Sequence, residues 1–179
     1  MLRNVLIIST SPNKWGSSAK IAKEFARGVT DAGNNVEVVT LRDKEINFCK
    51  GCLACQKTQK CVIRDDANEI VEKMKFSDVI VWVTPVYYYN MSGQMKTMID
   101  RSNPLYTSDY LFKDIYLIVT AADSNINAAD GTINGLMGWI SCYEKAELKG
   151  VVKGLGIERP SDIEGHKALI EAYEMGKNV

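Results

Sequence analysis

Asn4-Val5-Leu6-Ile7-Ile8-Ser9 is a short, nearly all-apolar run, and it breaks at once into Thr10-Ser11-Pro12-Asn13-Lys14-Trp15-Gly16-Ser17-Ser18. A continuous apolar run of that length reads as a strand covered on both faces, as in a parallel sheet. Ser17 is placed to cap a helix whose Ala19, Ile21, Ala22, Phe25, Ala26 and Val29 lie mostly on one stripe, and Gly33 closes it. Strand, hydroxyl-rich loop and helix together make the opening unit of a wound α/β sheet.

The same alternation continues along the chain. Val36 to Leu41 reads as a second strand, and Asp65 or Asp66 caps a helix carrying Ile70, Val71 and Met74. Asp78 to Thr84 is a third strand, ended by Pro85, and a helix follows from about Ser92 to Arg101 with Met95 and Met98 at core spacing. Ile115 to Ala121 and Leu148 to Lys153 complete five strands, with helices over Ala128 to Tyr143 and Ile163 to Met175. One parallel sheet with helices on both faces is predicted, and the absence of repeats or linkers predicts a single domain over 1–179.

Composition narrows the function classes. Of 179 residues 46% are hydrophobic and 25% charged, which are globular values that exclude a disordered or collagen-like chain. Lys plus Arg and Asp plus Glu number 22 each, so no net field draws the protein to nucleic acid or to an anionic membrane. The run at Val5–Ile8 is too short for a signal sequence, and no stretch approaches 20 apolar residues, so a cytoplasmic location is expected. The five cysteines then read as thiols or ligands rather than disulfides. His166, the single histidine, reads as a solvated side chain, which sets aside histidine triads and zinc-hydrolase sites. Cys142 reads as a small buried apolar group.

Ligands of such sheets bind at the carboxyl ends of the strands. The first loop is rich in hydroxyls and ends at a helix N-terminus, which suits a phosphomonoester; it matches neither a Walker loop nor Gly-x-Gly-x-x-Gly. The loop from Thr84 to Gly93 carries Tyr87, Tyr88 and Tyr89, which suit a flat aromatic ligand or, equally, packing and an oligomer interface. Thr120-Ala121-Ala122-Asp123-Ser124 would complete a pocket, whereas Gly154-x-Gly156 reads as a plain turn. The spacing Cys49-x2-Cys52-x2-Cys55-x5-Cys61 allows three readings: a cubane iron–sulfur cluster, a zinc site, or free thiols in a loop made polar by Lys50, Lys57 and Lys60.

Ser11-Pro12, Gly16-Ser17-Ser18, the cysteine loop ending in Asp65-Asp66, Thr84-Pro85-Val86-Tyr87, and Gly93-Gln94-Met95-Lys96 through Ile99-Asp100-Arg101 together resemble the flavodoxin-like NAD(P)H-dependent FMN reductases, in their iron–sulfur flavoprotein branch. The resemblance covers roughly residues 1 to 155. It implies a flavodoxin-like sheet of order 2-1-3-4-5, with the cysteine loop 48–62 inserted after strand two. It implies FMN as cofactor, its phosphate held in a first loop offering Ser9, Ser11, Asn13, Lys14, Ser17 and Ser18. Pro85, Val86, Tyr87 and Tyr88 would line the isoalloxazine, and Thr120, Ala121, Ala122 and Asp123 would close the site.

No catalytic side chain is implied, since the flavin carries the chemistry between NAD(P)H or a ferredoxin-like donor and a small acceptor. A homodimer or homotetramer is implied, with the Tyr87–Met91 loop and the helix of Met95, Met98 and Asp100 at the contact. The branch also implies an alternative role as an electron carrier with a [4Fe-4S] cluster on Cys49, Cys52, Cys55 and Cys61. The first loop departs from the family pattern. Asn13 stands where the family commonly has arginine, and Ser17-Ser18 replaces Asn-Thr, leaving Lys14 as the loop's point charge. A non-catalytic phosphoacceptor domain of the same fold would need acidic residues after strand one, where this chain has Ser9-Thr10-Ser11.

Overall fold

The computed structural model describes residues 2–179. Strand β1 (Asn4–Ser9) is followed by α1 (Ser17–Asp31), β2 (Asn35–Thr40), a short helix α2 (Ala54–Thr58) and α3 (Ala67–Phe76). Then come β3 (Val79–Tyr87), β4 (Asn90–Met91), α4 (Gly93–Arg101), β5 (Asp114–Thr120), α5 (Asp130–Ile140), β6 (Glu147–Gly154) and α6 (Lys167–Lys177). The sheet runs β2-β1-β3-β5-β6, all parallel, and β4 adds an antiparallel pair to the end of β3. The five parallel strands thus follow the expected order, and the sixth strand is the two-residue β4.

Alternation along the central strands divides the interior into two cores. Leu6, Ile8, Ile80, Trp82, Leu117 and Val119 face one side, where they meet α3, α4 and α5. Val5, Ile7, Val79, Val81, Val83 and Ile118 face the other, against α1 and α6. Both faces of β1 and β3 are buried, which is why their sequences are continuous apolar runs rather than alternating ones. On the first side Trp82 meets Trp139 edge-on at 5.8 Å between centroids. On the second, Gly28 and Gly176 let α1 and α6 cross with almost no gap. A Cβ at Gly28 would collide with the Tyr173 carbonyl, and one at Gly176 with the Phe25 carbonyl.

Local chemistry corrects several expectations. Gly16, not Ser17, is the cap residue of α1, and no side chain accepts from the helix's open end. Pro85 does not end β3, because Val86 and Tyr87 continue it by pairing with Met91 and Asn90. Pro85 itself sits in register with Thr120, at a position the strand tolerates near its end. The last helix starts at Lys167 and not Ile163, because His166 caps it: Nδ1 accepts from the Ala168 N–H at 3.1 Å and Nε2 lies 3.1 Å from the Leu155 carbonyl. His166 is therefore a half-buried structural cap and not a solvated side chain. Cys142 is exposed, since α5 ends at Ile140 and leaves it on the exit turn. Met95 and Met98 are fully buried, which removes them from any subunit contact. Among the described residues no helix is long and apolar enough to cross a membrane.

Candidate functional site

The carboxyl edge of the sheet is held together by buried hydroxyls. The Thr10 N–H donates to the Val83 carbonyl at 2.9 Å, fixing the first loop onto β3. Thr10 Oγ1 lies 3.0 Å from Ser92 Oγ, and Thr84 Oγ1 lies 3.2 Å from the same atom. All three residues are completely buried, so their hydroxyls need partners, and Thr84 Oγ1 also accepts from the Ser92 N–H at 3.1 Å. Ser92 also caps α4 by accepting from the Met95 N–H at 3.3 Å. A second link joins Ser18 Oγ to Thr120 Oγ1 at 2.6 Å, and a third runs from the Ile157 N–H to the Ala121 carbonyl at 2.9 Å. Four loops, after β1, β3, β5 and β6, are thereby tied side by side.

Between them lies an open groove of about 330 Å³. Its floor is the first loop and the start of α1: Ser11, Asn13, Gly16, Ser17 and Ser18. Pro85, Val86 and Tyr87 form one wall, and Thr120, Ala121 and Ala122 form another. The groove also meets Ile157 to Pro160, residues of the loop after β6 that sequence reasoning passed over. The signal available was topological, because the loop after the last strand opens on the same sheet edge as the others.

Four of the expected flavin contacts lie outside this lining. Ser9 is buried within β1. Lys14 turns to Trp15, its Nζ 5.1 Å from the ring centroid. Asp123 accepts from Tyr89 Oη at 3.1 Å and from the Asn125 N–H at 2.8 Å, and it raises the tyrosine's pKa above the ordinary phenol value. Tyr88 is wholly exposed at the tip of the β3–β4 turn, where Tyr88 and Tyr89 both adopt left-handed backbone, φ 48° and 59°. Two positive φ angles in succession give the turn that matches strand twist, although glycine or asparagine usually supplies it.

This site sits on a chain matched over residues 3–150 by the family model for NADPH-dependent FMN reductases. The chain belongs to that family. It is 31% identical over 137 residues to an iron-sulfur flavoprotein of Methanosarcina thermophila, covering 76% of this chain and 72% of that protein. An iron-sulfur flavoprotein of Methanocaldococcus jannaschii is 41% identical over 101 residues, 56% of this chain and 52% of that one. The chain spans about half the length of several of the curated relatives it matches. Its fold is that of an NAD(P)H:quinone oxidoreductase from Methanothermobacter marburgensis, with a TM-score of 0.76 at 17% identity, covering 99% of this chain and 96% of the other.

FMN, the cofactor named for this reductase family, fits the groove on the chemistry of its donors. The open end of α1 carries free N–H groups and a partial positive charge, with no acidic residue in its first turn to compete. Ser11, Ser17 and Ser18 line the groove at that end, and Pro85 and Val86 add apolar lining to the same groove.

The cysteine loop is fixed from a different direction. Arg101, at the end of α4, makes a paired contact with Asp65 through Nη1–Oδ2 at 2.6 Å and Nη2–Oδ1 at 2.8 Å, and both side chains are buried. The same guanidinium donates to the carbonyls of Asn47 at 2.7 Å and Ile63 at 3.3 Å, so it clamps both ends of the loop. Burial alone would raise the Asp65 pKa, but hydrogen bonds from Arg101 and Asn47 outweigh it and hold the carboxyl at about 2. Asp65 Oδ1 also accepts from the Ala67 N–H at 3.2 Å, so it begins α3 in the way expected of either aspartate.

Inside the loop the four thiols do not converge. Cys55 is buried on α2, its Sγ accepting from Asn103 Nδ2 at 3.1 Å, while Cys49 and Cys52 are exposed and Cys61 is half-buried near Arg101. No three metal-binding side chains gather among the described residues. As arranged, the set Cys49, Cys52, Cys55 and Cys61 does not fit a cluster. Four-point ligation is a property of loop conformation, which spacing alone does not fix. Cys49 and Cys142 do line one cavity of about 710 Å³ with Trp139, Tyr143 and Lys96, beside Asn90 and Met91 of β4.

The clamp makes stability depend on pH. A carboxyl depressed from an unfolded value of about 4 to about 2 contributes stability above pH ~4 that is lost as pH falls toward 2. Asp65→Asn should lower stability by about 3–5 kcal/mol at neutral pH, because Arg101 is left buried and unpaired. It should also flatten the acid decline. Denaturant unfolding of both proteins between pH 7 and pH 2.5 checks this, and equal midpoints at neutral pH would contradict it.

Proposed function

We propose that the protein is an FMN-dependent oxidoreductase that takes electrons from NAD(P)H, or from a ferredoxin-like protein, and passes them to a small acceptor. The observation that carries this reading is the groove itself, which joins an uncapped helix end lined with hydroxyls to an apolar wall at the sheet's carboxyl edge. Bound FMN would supply the hydride and electron chemistry. Ser11, Ser17 and Ser18, with the first N–H groups of α1, bind the phosphate and set the depth of the ligand. Pro85, Val86 and Tyr87 orient the ring system and exclude water from one face, while Thr120 to Ala122 close the opposite side. No side chain is required to move a proton.

Exposed aromatic surface supports assembly into a homodimer or homotetramer. Tyr87, Tyr88 and Tyr89 are exposed together on the β3–β4 turn, aromatic area that such an assembly would cover. The residues 1–179 act in this reading as one FMN-binding unit.

An iron–sulfur electron carrier is the second reading. Cysteine spacing and the names of the relatives support it, and the separated thiols weigh against it.

Three measurements test these readings. Titration with FMN should quench flavin fluorescence in the wild-type protein, and the double substitution Ser17→Asp, Ser18→Asp should abolish retention by placing two carboxylates at the helix end. Undiminished FMN content in that variant would remove the phosphate assignment. Anaerobic preparation should yield flavin with freely titratable thiols, whereas about four irons and four sulfides per chain would establish the second reading. Light scattering at micromolar concentration should give a multiple of the monomer mass, and a monomer would leave the tyrosines to another role.

A further inference from the structure

Bound FMN would bring more negative charge into the groove than its first loop can balance. A phosphomonoester carries about −1.5 to −2 at neutral pH, and a helix N-terminus offers only about half a positive charge. The first loop's one cationic side chain, Lys14, is directed at Trp15 and lies outside the groove lining. Among the described residues lining the groove, the one cationic side chain is Arg159. It comes from the loop after β6, and its guanidinium makes no hydrogen bond or ion pair with the described residues, although it is close enough to Asp162 to act on that carboxylate.

That loop is built rather than loose. The Asp162 carboxylate accepts from the backbone N–H groups of Glu158 at 3.1 Å and Arg159 at 2.8 Å, folding the chain back on itself. Lys20, one turn into α1, donates to the Pro160 carbonyl at 3.3 Å and so draws the loop over the helix's open end. The Gly156 N–H donates to the Asp123 carbonyl at 3.1 Å, and positive φ at Gly156 makes the reversal. Glu158 lies in the same wall, so the loop has no net attraction for an anion, and a guanidinium has to approach the ligand directly.

We infer that Arg159, from the loop after β6, is the cation of the FMN phosphate site. A guanidinium there would give a charge-assisted and bidentate contact that hydroxyls and a helix end lack. The last strand's loop then helps select a flavin with a terminal phosphate over the bare riboflavin. Glu158, by the same electrostatics, opposes the phosphate.

The assignment rests on the FMN reading above, and riboflavin separates the two, since it carries the ring without the phosphate. Binding of FMN and of riboflavin should be measured by fluorescence quenching at low and high salt for wild type, Arg159→Ala, Arg159→Lys and Glu158→Gln. Arg159→Ala should weaken FMN roughly tenfold to a hundredfold, leave riboflavin unchanged and reduce the salt dependence of FMN binding. Arg159→Lys should recover part of the loss, and Glu158→Gln should bind FMN more tightly than wild type. Arg159 is exposed, so the variants should retain wild-type melting temperatures. Equal FMN affinity in wild type and Arg159→Ala, or equal losses for FMN and riboflavin, would overturn the assignment while leaving the flavin reading in place. Wild-type protein that takes up neither ligand would overturn both.

Discussion

The buried pair of Arg101 and Asp65 fixes the part of the molecule that local sequence preference leaves undetermined. A loop running from Asn47 to Ile63 crosses no strand and has one short helix of its own. Such a segment would ordinarily be the most variable region of an α/β protein. Here one guanidinium holds the backbone at both ends and the carboxylate just beyond it, from a helix whose other end caps on Ser92. Helix α4 is therefore a strut between the groove and the cysteine loop. At Ser92 it is joined to the hydroxyls under the groove, and at Arg101 to the base of the cysteine loop.

A parallel sheet explains why the groove lies where it does. Every strand enters from the same end, so every following loop emerges at the carboxyl edge, and the chain has to find partners for polar backbone there without covering it. Thr84 and Ser92 meet part of that requirement with side-chain hydroxyls, accepting from the N–H groups of Ser92 and Met95, while Thr10, Ser18 and Thr120 link the loops hydroxyl to hydroxyl. The result is a rigid rim around an open trough. Its apolar wall belongs to a strand buried on both faces, and its polar floor belongs to a helix end, an arrangement suited to a ligand with a flat apolar part and an anionic tail.

Much of this was legible in sequence because it depends on periodicity. The runs at Val5–Ile8 and Val79–Val83 and the helical spacing of Ile21, Phe25 and Val29 follow directly from which faces are buried. The floor of the groove was legible for a related reason, since a hydroxyl-rich segment between strand and helix has one place to go. What escaped depends on distant partners. Pro85 continues its strand because Asn90 and Met91 return beside it, and His166 becomes a cap because Leu155 lies opposite its ring. Cys142 is exposed because α5 stops three residues before the expected end. The role of Arg101 as a clamp carries no local mark at all, and neither does the separation of the four thiols. Both are set by how a loop folds onto a helix far from it in sequence.

The tyrosine turn has an implication for recognition. Left-handed backbone at two successive non-glycine residues is disfavoured by roughly 1–2 kcal/mol each, and here it is maintained by the Tyr89 hydroxyl on Asp123 and by the seating of Tyr89's carbonyl against Gly131. That conformational work is done when the chain folds. A molecule arriving at the rim therefore meets Tyr88 already displayed on a fixed backbone, and the association loses little of its free energy to ordering the surface it contacts.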